Sequence, residues 1–304
     1  MIPADGAATA PCPFCGGETG VRFAAFDVNR RVSDRLFHVR ACARCGLMFV
    51  ADLPDDLACY YTGDYHAQPA SAADLAPLLA GHRYKLDLLR RFRNGGELLE
   101  IGPSSGAFCL LAKEAGFSVS AIEMDASCCR FLGDVLGVRA VNSGDPAAVL
   151  RSEERTYDAI CLWHSLEHLP TPWSVLEEAA RKLRPDGVLL IAVPNPEAWQ
   201  ARVMGARWPH WDLPRHRFHM PMAWMLALGR RLGLAVRLAT TRDPGSLFLN
   251  RSGWAMWLSR GGLLGWRLAL GIVILTRPWE RREGAGSAYV VALQRQSPGG
   301  KRTP

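Results

Sequence analysis

The segment that most constrains the fold is the run ELLEIGPSSGAFCLLAKEAGFSVSAIEMD at residues 97–125. An apolar run ends near Glu100, a turn of small residues occupies 102–106, a helical stretch follows, and a second apolar run ends at Glu123. This order predicts a βαβ half-unit whose strand-to-helix turn binds a nucleotide. Glycines in the turn permit open backbone dihedral angles. Glu123 is placed to accept hydrogen bonds from two ribose hydroxyls.

The turn alone leaves its ligand open. Gly102, Ser104 and Ala107 form a degraded version of the glycine pattern of dinucleotide-binding folds, and such a partial match is weak. A pyrophosphate requires bare backbone amides at a helix N-terminus, which disfavours a serine in the turn. A buried turn that binds no ligand is the third interpretation.

Apolar runs alternate with helical patterns through most of the chain. The runs lie at 98–101, 119–122, 138–141, 159–162, 188–193 and 235–239, and a last one lies at 288–293. Alternation at this spacing predicts an α/β fold with a doubly wound parallel sheet that is covered on both faces. We therefore expect a Rossmann-like sheet of seven strands.

Three motifs, in this order, resemble those of class I S-adenosylmethionine-dependent methyltransferases. The first is the turn after Glu100, with Ser104 where the middle glycine of the family motif lies. The second, at 157–169 (YDAICLWHSLEHL), resembles the fourth-strand motif. The third, at 183–195 (LRPDGVLLIAVPN), resembles the helix-to-fifth-strand signature, with Asp186 replacing a glycine. The branch that they resemble contains ubiquinone-pathway O-methyltransferases and sugar C-methyltransferases.

This resemblance implies S-adenosylmethionine as the cofactor and an antiparallel last strand. A serine in the turn is then tolerable, because this cofactor brings no phosphate to it. The residues implied in cofactor binding are Glu100, Gly102, Ser104, Gly106, Glu123, Met124 and His164.

Two C-x-x-C pairs, each followed by a glycine, precede the predicted sheet. Cys12, Cys15, Cys42 and Cys45 supply four thiolates, a set that suits tetrahedral Zn²⁺ with no open coordination position. We therefore predict a zinc ribbon with a structural metal ion. The start of the sequence shows no pattern of a signal peptide, so we expect a cytoplasmic protein in a reducing compartment.

Histidines cluster in two loops that follow predicted strands. Five of the 8 histidines lie there: His164, His168, His210, His216 and His219. In open α/β sheets, ligands bind beyond the carboxyl ends of the strands. Methyl transfer to a hydroxyl or a carbon acid needs a base, and histidine suits that role near neutral pH.

His216 and His168 are the predicted catalytic residues. His216 follows Pro214 and Arg215 in a segment that resembles the P-R-H motif of the same branch. A second interpretation of His168, as a brace for the helix that begins near Thr171, stays open. Arg215 either binds a phosphate or carboxylate of the substrate or is simply solvated.

An apolar insertion of about forty residues separates the last two predicted strands. It is too interrupted to span a bilayer, which needs roughly 20 mainly apolar residues. Its tryptophans and arginines suit peripheral membrane contact through residues 250–282. A lid over the active site and an oligomer interface are the alternatives, and the oligomeric state is left open.

These observations predict six segments. They are a zinc-ribbon module at 1–58, a helical linker at 59–96, a methyltransferase core at 97–245, the insertion at 246–286, the last core strand at 287–296 and a disordered tail at 297–304. The expected substrate is a small molecule or a glycan- or lipid-linked intermediate, methylated on oxygen or carbon.

Two other functions stay open. The net charge of +7 permits an rRNA or tRNA methyltransferase whose zinc ribbon binds RNA. However, no aromatic-basic stacking motif stands out, so we expect no nucleic-acid partner. The second is a non-catalytic zinc-ribbon scaffold with a decayed cofactor pocket, which only the replacements of glycine by Ser104 and Asp186 support.

Overall fold

The computed structural model describes residues 10–61, 69–258 and 262–296. Its strands are β1 (Thr19–Ala25), β2 (Phe37–Cys42), β3 (Met48–Val50), β4 (Gly96–Ile101), β5 (Phe117–Glu123), β6 (Arg139–Asn142), β7 (Tyr157–Trp163), β8 (Leu183–Pro194), β9 (Phe218–His219), β10 (Leu234–Thr240) and β11 (Ala288–Arg295). Its helices are α1 (Ala76–Arg90), α2 (Ala107–Glu114), α3 (Ala126–Arg130), α4 (Pro146–Ser152), α5 (Pro172–Lys182), α6 (Trp199–Met204), α7 (Met222–Arg231), α8 (Pro244–Leu258) and α9 (Gly262–Glu280). The predicted tail at 297–304 lies outside the described residues.

The predicted seven-stranded Rossmann-like sheet is confirmed. Its strand order is β10-β11-β8-β7-β4-β5-β6, and the antiparallel strand is the last one in the chain, β11, between β10 and β8. β4 pairs in parallel with both β5 and β7, and β7 pairs in parallel with β8. The chain therefore reverses its winding direction beside β4, where doubly wound sheets bind their ligands.

By the density of their internal contacts, the residues form two compact units. The sheet unit comprises Gly63–Ala192, Leu226–Ala239 and Val290–Pro304. The cysteine unit comprises Met1–Thr62, Val193–Met225 and Thr240–Tyr289. In the sheet unit, Leu98, Val188 and Val290 are fully shielded from solvent within one continuous apolar core. This burial explains why the strands have near-continuous apolar sequences rather than alternating ones.

The cysteine unit contains a four-stranded sheet in the order β1-β2-β3-β9. β1, β2 and β3 form an antiparallel ribbon. β9 belongs to the segment after β8 and pairs with β3, with Met48 opposite His219 and Phe49 opposite Phe218. The segment that carries His210, His216 and His219 is therefore hydrogen-bonded to the cysteine-bearing ribbon. The sequence pattern did not predict this strand.

The apolar insertion forms the helices α8 and α9, which also belong to the cysteine unit. Gln200 attaches α8 to the segment after β8, because its Nε2 donates to Asn250 O (2.9 Å) and its Oε1 accepts from Trp208 Nε1 (3.0 Å). His210 Nε2 lies 2.8 Å from Leu249 O. Within the described ranges, no helix has both the length and the apolar content that crossing a bilayer requires.

Gly253 of α8 provides a test of this attachment. A Cβ at Gly253 would overlap Gln200 Oε1 and lie 3.1 Å from His210 Nε2, whereas a Cβ at Gly271 of α9 would meet no atom within 4 Å. We expect Gly253→Ala to lower the free energy of unfolding by about 1–3 kcal/mol, as overpacking does. The matched change Gly271→Ala should raise it by about 0.5–1 kcal/mol through helix propensity. Chemical denaturation measures both, and equal effects would contradict the close packing.

Candidate functional site

The turn after β4 keeps the backbone shape that glycines favour, although one of its residues is a serine. Gly102, Ser104 and Gly106 have φ values of 74°, 50° and 75°. Ser104 therefore adopts the left-handed conformation that its glycine counterpart in the family motif could adopt without a side-chain penalty. Asp186, the second replacement of a motif glycine, also has a positive φ, of 60°. Both residues that stand at glycine positions of the motif thus have a positive φ.

The glycines of the turn are also required by protein packing. A Cβ at Gly102 would lie 2.6 Å from Ser165 Cβ, and one at Gly106 would lie 2.7 Å from side-chain carbons of Leu132 and Leu136. From the sequence alone, these glycines were expected only for backbone freedom near a ligand. The structure adds that the loop after β7 and the Leu132–Leu136 side chains approach the turn too closely for a side chain.

Glu123 ends β5 and holds the turn in place. Its carboxylate is buried, with Oε2 accepting from Ser104 N–H (3.0 Å) and Oε1 from Asp125 N–H (2.9 Å). A carboxylate has about four lone-pair sites, so each oxygen retains capacity for a ribose hydroxyl. The next residue, Met124, has a 57% exposed side chain. The predicted acidic residue thus lies against the predicted turn.

The loop after β7 brings His164 to the same place. Ser165 Oγ donates to Ile101 O at the end of β4 (2.6 Å), and His164 N–H donates to Ala192 O of β8 (2.8 Å). His164 has a φ of 57°, and its Nδ1 lies 3.7 Å from Glu167 Oε1. His168 ends the following 3₁₀ turn (Leu166–His168), and its N–H donates to Ser165 O. These contacts support the grouping of His164 with Gly102, while its role in cofactor binding stays a prediction.

Glu100 has a different environment from the rest of the turn. Its carboxylate is 3% exposed and accepts from Cys109 Sγ (2.9 Å). Burial raises its pKa to about 7, against the opposing effect of the positive charge of Lys85. Burial likewise lowers the pKa of Lys85 to about 8. The sequence analysis did not single out Lys85, although a lysine inside the apolar pattern of α1 was a visible signal.

The four predicted metal ligands lie together. All four Sγ atoms are within 4.8 Å of one another, with Cys12–Cys45 at 3.7 Å and Cys15–Cys42 at 3.5 Å. A tetrahedral Zn²⁺ with Zn–S bonds of about 2.3 Å separates its sulfurs by about 3.8 Å. Burial tends to raise the pKa of Cys15, but hydrogen bonds, the largest of them from Arg44, together outweigh it and lower that pKa to about 6. The donor set therefore fits a tetrahedral thiophilic ion.

Two glycines shape the loops that present these thiols. Gly16 and Gly46 have φ values of 69° and 76°, and their N–H groups donate to Cys12 O and Cys42 O. Each loop thereby curls back on its first cysteine, so the spacing of the two C-x-x-C pairs produces the expected pair of knuckles.

His216 lies in the cysteine unit and is buried. Its Nδ1 is 3.0 Å from His210 O, and its Nε2 is 3.8 Å from Asp212 Oδ2. Burial alone would raise the pKa of Asp212, but the charge of His216 and the hydrogen bonds and charge of Arg215 hold it well below its usual range. Asp212 had no role predicted from the sequence.

Arg215 does not face solvent. It is fully buried and donates to both oxygens of Asp27 (2.7 and 3.2 Å), both oxygens of Asp212 (2.7 and 3.0 Å) and Tyr60 O (3.1 Å). These five hydrogen bonds match the five N–H groups of a guanidinium. The interpretation of Arg215 as a solvated residue is therefore wrong, and no donor remains for a substrate in this arrangement.

The comparisons with known proteins agree with this geometry. Residues 73–238 match the family described as Methyltransferase domain, and the chain belongs to that family. The ubiquinone biosynthesis O-methyltransferase of Aeromonas salmonicida (strain A449) is 26% identical over 160 residues, which are 47% of this chain and 64% of that protein. The enzyme of the same name from Xanthomonas oryzae pv. oryzae (strain PXO99A) is 28% identical over 151 residues, which are 47% and 63%.

Among solved structures, a SAM dependent methyltransferase from Archaeoglobus fulgidus is similar with a TM-score of 0.50 and 17% identity. The match covers 72% of this chain and 94% of that one, and it shows the shared fold. The chain spans less than two thirds of the length of the curated relatives described above.

Proposed function

We propose that this protein is an S-adenosylmethionine-dependent methyltransferase that acts on a small molecule or on a glycan- or lipid-linked intermediate, on oxygen or carbon. The observation that carries the proposal is the turn at 102–106 and its hydrogen bond from Ser104 N–H to Glu123. The family match and the names of the curated relatives support it.

Gly102, Ser104, Gly106, Glu123 and His164 are the residues that we propose hold the cofactor. Glu123 would accept hydrogen bonds from the ribose, because its carboxylate is oriented by two backbone N–H groups. Glu100 would support the turn through the hydrogen bond that it accepts from Cys109 of α2. Met124 offers an exposed apolar surface next to Glu123. When bound, S-adenosylmethionine supplies an electrophilic methyl group on a positively charged sulfur.

We propose His216 as the base that takes the proton from the acceptor. A carbonyl oxygen only accepts, so the contact of Nδ1 with His210 O requires a proton on Nδ1. In the neutral ring, Nε2 is then the basic atom. Asp212, kept ionised by Arg215, stabilises the imidazolium that forms. His168 is the alternative base, and its bracing role stays equally open.

Calorimetry with S-adenosylmethionine tests the enzymatic proposal. We expect the zinc-loaded protein to bind it, and Glu123→Ala to weaken binding at least about tenfold, or about 1.4 kcal/mol, because the ribose loses its acceptor. Glu97→Ala, at the opposite end of β4, and His216→Ala should bind like the wild type.

With any acceptor that the wild type methylates, His216→Ala should lower turnover by about 10²–10⁴-fold.

Two results of this experiment would contradict the proposal. No binding to the zinc-loaded wild type would reject the methyltransferase and favour the scaffold. Unchanged turnover in His216→Ala would reject only the assignment of the base.

We further propose that Cys12, Cys15, Cys42 and Cys45 hold a structural Zn²⁺. Elemental analysis of the purified protein should give about one zinc per chain, since four thiolates complete its coordination. Cys42→Ser should lose most of the metal and loosen the ribbon, whereas Cys59→Ser, an exposed cysteine outside the cluster, should keep it. Equal metal content in the two variants would refute the assignment.

The exposed side of α9 supports peripheral membrane contact. Ile274 and Leu275 are 68% and 70% exposed, and Trp279 is 46% exposed. The opposite side packs inward, with Glu280 Oε1 accepting from Trp254 Nε1. Exposed Arg277 lies within the same turns. An apolar face beside cationic side chains suits the interface of an anionic bilayer.

Co-sedimentation with vesicles tests this contact. Vesicles of phosphatidylserine and phosphatidylcholine should pellet the wild type at low ionic strength, and Ile274→Asp should abolish pelleting because it charges the centre of the apolar face. The control Val135→Asp changes an exposed apolar residue of the sheet unit and should pellet normally. If Ile274→Asp pellets like the wild type, α9 does not contact the membrane.

A further inference from the structure

We propose that Asp27 and Asn29, two residues of the cysteine-bearing segment, are positioning residues for His216. They act through Arg215 and Asp212, and this inference rests on the proposed role of His216 as the base. All of these residues belong to the cysteine unit.

The turn after β1 holds Asp27 rigidly. Its carboxylate is 1% exposed, and it accepts from the backbone N–H groups of Arg30 (3.1 Å) and Val32 (3.2 Å). Arg31 N–H donates to Asp27 O, which closes the turn. Asp27 therefore presents both of its oxygens to Arg215 from a fixed backbone.

The guanidinium of Arg215 connects Asp27 to Asp212, because it binds both carboxylates. One edge of its planar group binds Asp27, and Nε and one terminal nitrogen bind Asp212. A planar group with two bidentate contacts fixes the orientation of both carboxylates. Asn29 adds a direct contact, because its Nδ2 donates to Asp212 Oδ1 (2.6 Å) and to Pro209 O (2.7 Å).

The network of Asp27, Arg215 and Asp212 positions the ring of His216. Asp212 Oδ2 lies 3.8 Å from His216 Nε2, and His210 O holds the opposite ring nitrogen. The ring is therefore held between the Asp212 carboxylate and the His210 carbonyl oxygen, and the contact at one ring nitrogen sets which nitrogen carries the proton.

The experiment is nitrogen NMR of the histidine rings in the full-length, zinc-loaded protein. Uniform ¹⁵N labelling of histidine reports which ring nitrogen is protonated, and His216→Gln assigns the signal. We expect one neutral form of His216 in the wild type, protonated on Nδ1. Asp27→Asn and Asn29→Ala should each replace it by a mixture of the two tautomers.

The matched control is Asp52→Asn. Asp52 lies in the same cysteine-bearing segment and binds His38 through its ring Nδ1 (3.0 Å) and its backbone N–H (2.8 Å). This variant makes the same chemical change as Asp27→Asn within the same unit. The His216 signal in it should match that of the wild type.

The outcomes are separable. If Asp27→Asn and Asn29→Ala lower the melting temperature but leave the His216 signal unchanged, their role is merely structural and the inference is wrong. If Asp27→Asn does not fold, Asn29→Ala decides alone, since it removes only two hydrogen bonds. Calorimetry with S-adenosylmethionine on the same samples tests the proposed function separately, because the nitrogen signal requires neither cofactor nor acceptor.

Discussion

The cysteine unit depends on the buried guanidinium of Arg215. Its two carboxylate partners, Asp27 and Asp212, come from segments that are far apart in sequence. Removal of one partner from a buried ion pair costs about 3–5 kcal/mol, because an uncompensated charge remains. The β1–β3 ribbon and the segment that carries Asp212, Arg215 and His216 therefore each lack a charge partner without the other. We expect neither to fold on its own.

The parts of the fold that local sequence encodes were predictable. The apolar runs at 98–101 and 119–122 and the small residues between them predicted β4, the turn and β5. The same pattern placed Glu123 at the end of β5, where it meets Ser104. The two C-x-x-C pairs with their glycines predicted the thiol cluster. In each case the signal lies within one supersecondary unit, so spacing alone sets the geometry.

Several missed features depend on partners that are distant in sequence, although Asp212, which lies three residues before Arg215, does not. β9 has two residues, and only pairing with β3 makes it a strand. The sequence alone does not indicate that Arg215 is buried, because its partner Asp27 lies 188 residues away. The need for glycine at Gly102 comes from Ser165 in another loop. No periodicity or spacing contains such contacts, and the one between Asp27 and Arg215 fixes the guanidinium that binds Asp212 beside His216.

The ribbon itself explains why so many long-range contacts converge on it. A ribbon of three short strands depends on packing against other elements, and Phe37, Val39 and Val50 lie in one apolar cluster with Trp208 and Trp211 of the segment after β8. The buried charges of Asp27, Arg215 and Asp212 restrain the loop after β1, and the proposed zinc ion would restrain the end of the ribbon that carries the thiol cluster. Because a partly satisfied buried network is less favourable than none, this loop and the segment that carries His216 should order together or not at all. The position of the proposed base is thus set by the same interactions that stabilise the ribbon.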